Sequence, residues 1–279
     1  MSNKVWFITG VSTGIGRELA EQAALAGNTV IGTVRKQDQI EGVNNLVNGK
    51  TFGYILDVND HAKVTEVITE VSTKFGKIDV LVNNAGYGLF GGIEEVTMQE
   101  CRDQMETNFF SALAVTQAVL PIMRAQKSGH IFQVSSIAGL TGTPGLGIYN
   151  ASKHALEGFT EALYHELEGF NIKVTLVEPG PFRTLWAGAS MKTSEHEIAA
   201  YRNTRVGRTK ELMAARNGVQ PGDPIKAALA IIKISETENP PLRLALGKIA
   251  IGAIQGKIAL LTKELTTWET LSTSADFDN

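Results

Sequence analysis

Short apolar runs rich in β-branched residues alternate with longer amphipathic stretches along most of the chain, and this alternation limits the fold more than any other feature. The strand-like runs fall at 5–9, 30–34, 52–56, 80–82, 130–134, 173–177 and 242–246. Most read as nearly continuous apolar segments, as expected of strands covered on both faces. Helical periodicity fills the intervals at 15–26, 62–75, 98–123, 149–167 and 224–234. Strands and helices in strict alternation predict β-α units on a parallel sheet. No proline- or serine-rich linker divides the 279 residues, so one domain is expected. Two stretches break the alternation. Residues 184–222 form a long polar insertion with helical stretches, and residues 247–279 read as a final helix with an acidic, frayed tail.

The first strand runs into Thr9-Gly10-Val11-Ser12-Thr13-Gly14-Ile15-Gly16, and a helix follows at once. Glycines at these positions permit a tight turn, close backbone approach and close helix-to-strand packing. The helix start then offers free N–H groups to a phosphate. The segment from Gly10 through Ser12, Thr13, Gly14, Ile15 and Gly16 is therefore expected to bind a dinucleotide. The second strand ends at Val34, with Arg35 and Lys36 after it and no acid to hold a ribose 2′-hydroxyl. Two cations in that place favour a 2′-phosphate, so NADP(H) is expected over NAD(H), with the planar fork of Arg35 as the clamp.

Tyr149 and Lys153 stand four residues apart on a predicted helix and share a face. A nearby cation lowers the pKa of a phenol, ordinarily about 10. A fall of three units needs about 4 kcal/mol of differential stabilisation. The pair reads as a proton donor tuned for a carbonyl or an alcohol.

Together these motifs make the chain similar to the short-chain dehydrogenases/reductases, and the resemblance runs from Lys4 to about Gly247. The details resemble retinol and 17β-hydroxysteroid dehydrogenases and bacterial ketoreductases. The resemblance implies a Rossmann-like doubly wound α/β fold, with the insertion as a substrate loop and the C-terminal segment as a helical extension. It implies that Asp57 and Val58 contact adenine. Asn83 would tie neighbouring strands, while Asn84, Ala85 and Gly86 line the cofactor. Ser136, Tyr149, Lys153 and Asn108 match the catalytic set, with Asn108 holding a helix kink. Lys153 would also bind the nicotinamide ribose beside Tyr149. Pro179, Gly180, Phe182 and Thr184 would border the nicotinamide. Family members commonly form dimers or tetramers.

The expected activity is hydride transfer between nicotinamide and a hydrophobic ketone, aldehyde or alcohol. Phe90, Leu140, Leu146, Leu185 and Trp186 supply an apolar substrate wall at the carboxyl ends of the strands. Two other readings compete: a cofactor-binding sensor without catalysis, and an epimerase or dehydratase using bound NAD. The glycine spacing and short C-terminus argue against the second, and the complete catalytic set argues against the first. The five histidines show no metal-ligand spacing, and the single cysteine, Cys101, excludes an internal disulfide. A net charge of −3 without like-charge blocks gives no reason to expect nucleic acid. No apolar run reaches a bilayer-spanning length and no signal-peptide pattern opens the chain, so a cytoplasmic setting without membrane contact is expected.

Overall fold

A computed structural model of the chain describes residues 3–188 and 190–277. In chain order the elements are β1 (Val5–Ile8), α1 (Gly14–Leu25), β2 (Thr29–Val34), α2 (Ile40–Asn44), β3 (Thr51–Ile55), α3 (His61–Phe75), β4 (Val80–Asn83), β5 (Gly88–Phe90), α4 (Met98–Met105), α5 (Ser111–Gln126), β6 (Gly129–Val134), α6 (Gly147–Glu166), β7 (Ile172–Pro179), β8 (Met191–Thr193), α7 (Arg205–Arg216), α8 (Pro224–Ser235), β9 (Arg243–Leu246) and α9 (Lys248–Thr273). All seven expected strands form, and they make one sheet in the order β3-β2-β1-β4-β6-β7-β9. Every pairing in it is parallel. The chain works outward from β1 through β2 and β3, then returns to the other side of β1 with β4. That reversal opens a crevice at the carboxyl ends of β1 and β4, where α/β sheets bind their ligands.

The continuous apolar runs are explained by burial on both faces. Trp6 and Ile8 point into a core with α1 and α8, where Trp6 stacks on Phe132 at 6.4 Å between ring centroids. Val5 and Phe7, on the opposite side of the same strand, join a second core with α3, α5 and α6. Side chains alternate across a strand, so one run of four feeds both layers. Each fully buried large side chain contributes about 1.5–3 kcal/mol.

The helix expected over 98–123 is instead two helices joined by a π-turn at Glu106–Phe110. A capping box between Thr97 and Glu100 starts α4. The π-turn carries Asn108 and widens the helix over one turn there.

The insertion docks by its start: β8 pairs with β5 in a two-stranded parallel ribbon. Its helix α7 has no buried residue. Past Lys257, α9 is exposed on all sides, including Ile258, Leu261, Leu265 and Trp268. Among the described residues no helix is long and apolar enough to cross a membrane. The last two residues of the acidic tail, Asp278 and Asn279, lie outside the described residues.

Candidate active site

The loop after β1 needs glycine for two different reasons. Gly10 and Gly14 have φ of +71° and +64°, a conformation costly for any residue with a Cβ. Gly16 is needed for closeness: a Cβ there would stand 2.3 Å from Asn84 Nδ2. The Asn84 amide donates to Thr9 O at 3.0 Å and Gly10 O at 2.8 Å. The Thr9 hydroxyl in turn accepts from the N–H groups of Asn84 and Ala85, each at 3.0 Å. The turn is thus stitched to the end of β4 by side chain and backbone together. The helix α1 begins at Thr13 without a side-chain cap, which leaves its first N–H groups free for an anion.

From this turn a cleft of about 890 Å³ runs across the sheet's carboxyl edge. Gly10, Ser12, Thr13, Gly14, Ile15, Arg35, Asp57, Val58, Asn84, Ala85 and Gly86 line one end, as expected. Arg35 is exposed there at the end of β2. Lys36 does not line the cleft; it caps a short 3₁₀ turn on the outer side. A free helix start and glycines that admit close approach together fit a dinucleotide, with the Arg35 guanidinium beyond the β2 end.

The other end collects Ser136, Leu146, Tyr149, Lys153, Pro179, Gly180, Phe182, Thr184, Leu185 and Trp186. Tyr149 and Lys153 are buried, one turn apart on α6. Trp186 lies over the phenol at 5.0 Å between ring centroids. Lys153 Nζ donates to Val134 O at 2.8 Å. Ser136 caps the 3₁₀ turn Ile137–Gly139 by accepting from Ala138 N–H at 3.1 Å.

Burial pushes the Tyr149 phenol up to about 12, opposed by the neighbouring Ser136 hydroxyl. Burial brings the Lys153 ammonium down to about 8, opposed by the Glu157 carboxylate. The sequence-based expectation of a phenol held low by its neighbouring cation is therefore corrected. Desolvation of both groups outweighs their mutual influence, because burial disfavours whichever form is charged.

Asn108 sits behind the cleft, fully buried. Its amide donates to Tyr87 O at 3.0 Å and Ser152 Oγ at 3.1 Å, and its oxygen accepts from Tyr87 N–H at 3.0 Å. A Cβ on Gly86 would stand 3.1 Å from Asn108 Oδ1 and 3.7 Å from Lys153 Nζ, so this glycine keeps the two groups near each other. Asn83 contacts Thr116 Oγ1 at 2.9 Å and Gln133 Oε1 at 3.0 Å, tying β4 to α5 and β6.

Two substrate-wall residues stand elsewhere. Phe90 is buried against Leu146 and Tyr149, with its ring over Gly145, and it supports the wall rather than facing the cleft. Leu140 ends the 3₁₀ turn and does not line it. The sequence reading did not single out one face of α7 that lines the cleft: Thr209, Leu212, Met213 and Arg216. Their i, i+3, i+4, i+7 spacing was a usable signal inside a polar segment. Lys192 Nζ lies over the Tyr87 ring, 4.7 Å from its centroid. Among the described residues no group of histidine, cysteine, aspartate or glutamate could hold a metal ion.

The sequence model for short chain dehydrogenases matches residues 4–195. The oxidoreductase BOA17 of Botryotinia fuckeliana is 39% identical to this chain, over 96% of it and 98% of its own length. The 3-ketodihydrosphingosine reductase of Bacteroides thetaiotaomicron is 37% identical, over 89% and 90%. Among solved structures, a short-chain dehydrogenase from Streptomyces avermitilis superposes with a TM-score of 0.92 at 42% identity, covering 99% of both chains. A Burkholderia phymatum short-chain dehydrogenase/reductase in complex with NAD has a TM-score of 0.81 at 26% identity, over 93% and 95%. A metagenomic short-chain oxidoreductase in complex with NADP has 0.70 at 25%, over 88% and 97%.

Proposed function

The chain belongs to the short-chain dehydrogenase family, and from that premise we propose that it is an NADP(H)-dependent carbonyl reductase or alcohol dehydrogenase for hydrophobic ketones, aldehydes or secondary alcohols. One observation carries the reading: a buried phenol, an ammonium and a serine hydroxyl border the apolar end of a cleft whose other end is a glycine turn. The sheet and its insertion would work as one catalytic domain.

The glycine turn, Asp57, Val58 and the 84–86 segment would hold the dinucleotide, with Arg35 on its 2′-phosphate. The bound nicotinamide supplies the hydride. Tyr149 keeps its proton at neutral pH, which suits a general acid, and gives it to the carbonyl oxygen as charge develops there. Ser136 donates a second hydrogen bond to the same oxygen. Lys153, cationic below about 8, stabilises the phenolate left behind. Asn108 fixes the π-turn and the Tyr87 backbone, and through them the wall on which Lys153 rests. Leu146, Leu185, Trp186, Leu212 and Met213 suit an apolar substrate. The relative named 3-ketodihydrosphingosine reductase is in keeping with a long apolar ketone.

The test is NADPH oxidation against a panel of ketones and aldehydes of increasing chain length. Turnover that rises with apolar length is expected. Tight NADPH binding without turnover on any compound would instead favour a cofactor-sensing role.

A further inference from the structure

Behind the Tyr149–Lys153 pair lies a buried charge cluster that the proposed reaction does not use. Lys153, Glu157 and Glu161 stand at successive i, i+4 positions on α6 and share its face. Glu157 and Glu178, the latter near the end of β7, are 4% and 1% exposed. Arg243 reaches in from β9. Its guanidinium lies 3.3 Å from Glu157, 3.4 Å from Glu178 and 3.1 Å from the half-exposed Glu161. Ser135 faces Glu157 across the bare α-carbon of Gly139, where a Cβ would stand 2.8 Å from both Glu157 Cγ and Ser135 Oγ.

The cluster is short of partners. Both Glu157 oxygens, Glu178 Oε1 and Ser135 Oγ are buried and make no hydrogen bond among the described residues. Leaving buried carboxylates in that state is costly, about 1–3 kcal/mol or more for each group. One half-buried guanidinium stands against two buried carboxylates, and the buried cation one turn from Glu157 on α6 is Lys153.

We propose that the Glu157–Glu178 pair, held by Arg243, is the counter-charge that keeps Lys153 an ammonium, and that Glu157 is a positioning residue acting through Lys153. The inference rests on the role given to Lys153 above. Burial raises both carboxylates, Glu178 to about 7 with Glu157 adding to the rise; the neighbouring Ser135 hydroxyl and then Arg243 pull Glu157 back down, and Arg243 does the same for Glu178. The two titrate as a coupled pair. Glu157 is the member of the pair whose carboxylate acts on Lys153. The charged or titratable groups facing the pair are Lys153, His154 and Glu161 from α6 and Arg243 from β9.

The sign of the effect does not depend on which group controls the alkaline limb. Removing an anion makes an ammonium easier to deprotonate and a phenol easier to ionise. Both changes move the loss of carbonyl reduction to lower pH. The experiment measures kcat, and separately NADPH affinity by nicotinamide fluorescence, from pH 6 to 10 in the full-length protein. It compares wild type with Glu157→Gln, Glu157→Asp and Glu178→Gln. Glu157→Gln should move the alkaline limb of both profiles down by about one pH unit. Glu178→Gln should move it the same way by less, and Glu157→Asp should restore most of the wild-type position. An unmoved limb in folded Glu157→Gln, or in Glu178→Gln if the first variant does not fold, overturns the proposal. Should the wild type turn over no substrate, the functional reading fails, while the limb of NADPH binding still decides the charge on Lys153.

Discussion

The two ends of the cleft are built in contrasting ways. The cofactor end is backbone, pinned at short range: Asn84 and Thr9 fasten the glycine turn to the end of β4, and Asn83 fastens β4 to its neighbours. The substrate end is mostly side chains on an insertion that touches the body lightly. It is held by the β5–β8 ribbon, by Ser194 donating to Glu95 O at 2.6 Å, and by Ile198 N–H donating to Glu95 Oε1 at 2.8 Å. Its helix α7 has no fully buried residue, and its Val206 and Met213 pack half-buried against Phe90, Leu146 and Tyr149. Few buried contacts mean low local stability, so this end is the one able to adapt. A dinucleotide is one fixed shape and is met by fixed backbone. An apolar substrate needs only area, and loosely held side chains supply that.

Four substitutions would break or sharpen this contrast. Tyr149→Phe sits where the ends meet and should lower kcat by roughly 10²–10⁴ while NADPH binding stays near wild type. Steady-state rates and a fluorescence titration check this; a variant that keeps most of its activity would remove Tyr149 as the acid. Arg35→Asp tests the cofactor end: the KM for NADPH should rise on the order of 10–100-fold, as expected for loss of a charge-assisted phosphate contact. The KM for NADH should barely move, and equal changes for both would end the assignment of Arg35.

Gly10→Ala asks whether the turn is as rigid as its contacts imply. A Cβ there would stand 3.0 Å from Ala85 Cα at a φ of +71°, so a loss of about 1–3 kcal/mol in stability is expected, with weaker NADPH binding. Thermal unfolding and the same titration read both. Trp186→Ala tests the adaptable end. It should raise substrate KM about 5–20-fold through lost apolar contact, with NADPH KM and thermal stability close to wild type. A large fall in stability would show the insertion to be part of the core after all.

Much of the fold was legible because its cause is local. A strand covered on both faces must be largely apolar, and the central runs that satisfy this, with two half-buried edge runs, are the seven strands of the sheet. The glycine turn was legible for the same reason: φ and closeness are demanded at Gly10, Gly14 and Gly16 whatever surrounds them. The face of α7 that lines the cleft was legible too, by its spacing, and went unread within a polar segment. Other features carry no local mark. Nothing in Glu106–Phe110 announces a π-turn, since the widened turn exists to bring Asn108 onto Tyr87 and Ser152. Phe90 reads the same whether its ring faces a cleft or supports one.

By itself the sequence determined the seven strands, their parallel arrangement and most residues at the cofactor end of the cleft, because periodicity, glycine geometry and helical spacing act over a few residues. Only the tertiary structure decided the charge states within that cleft. Whether Lys153 stands beside a free phenol or behind desolvated walls, and whether Glu157 and Glu178 meet across Arg243, depends on strands and helices distant in sequence. A pKa is set by what surrounds a group in space. Burial therefore raised the phenol and lowered the ammonium where the four-residue spacing alone pointed toward a lowered phenol.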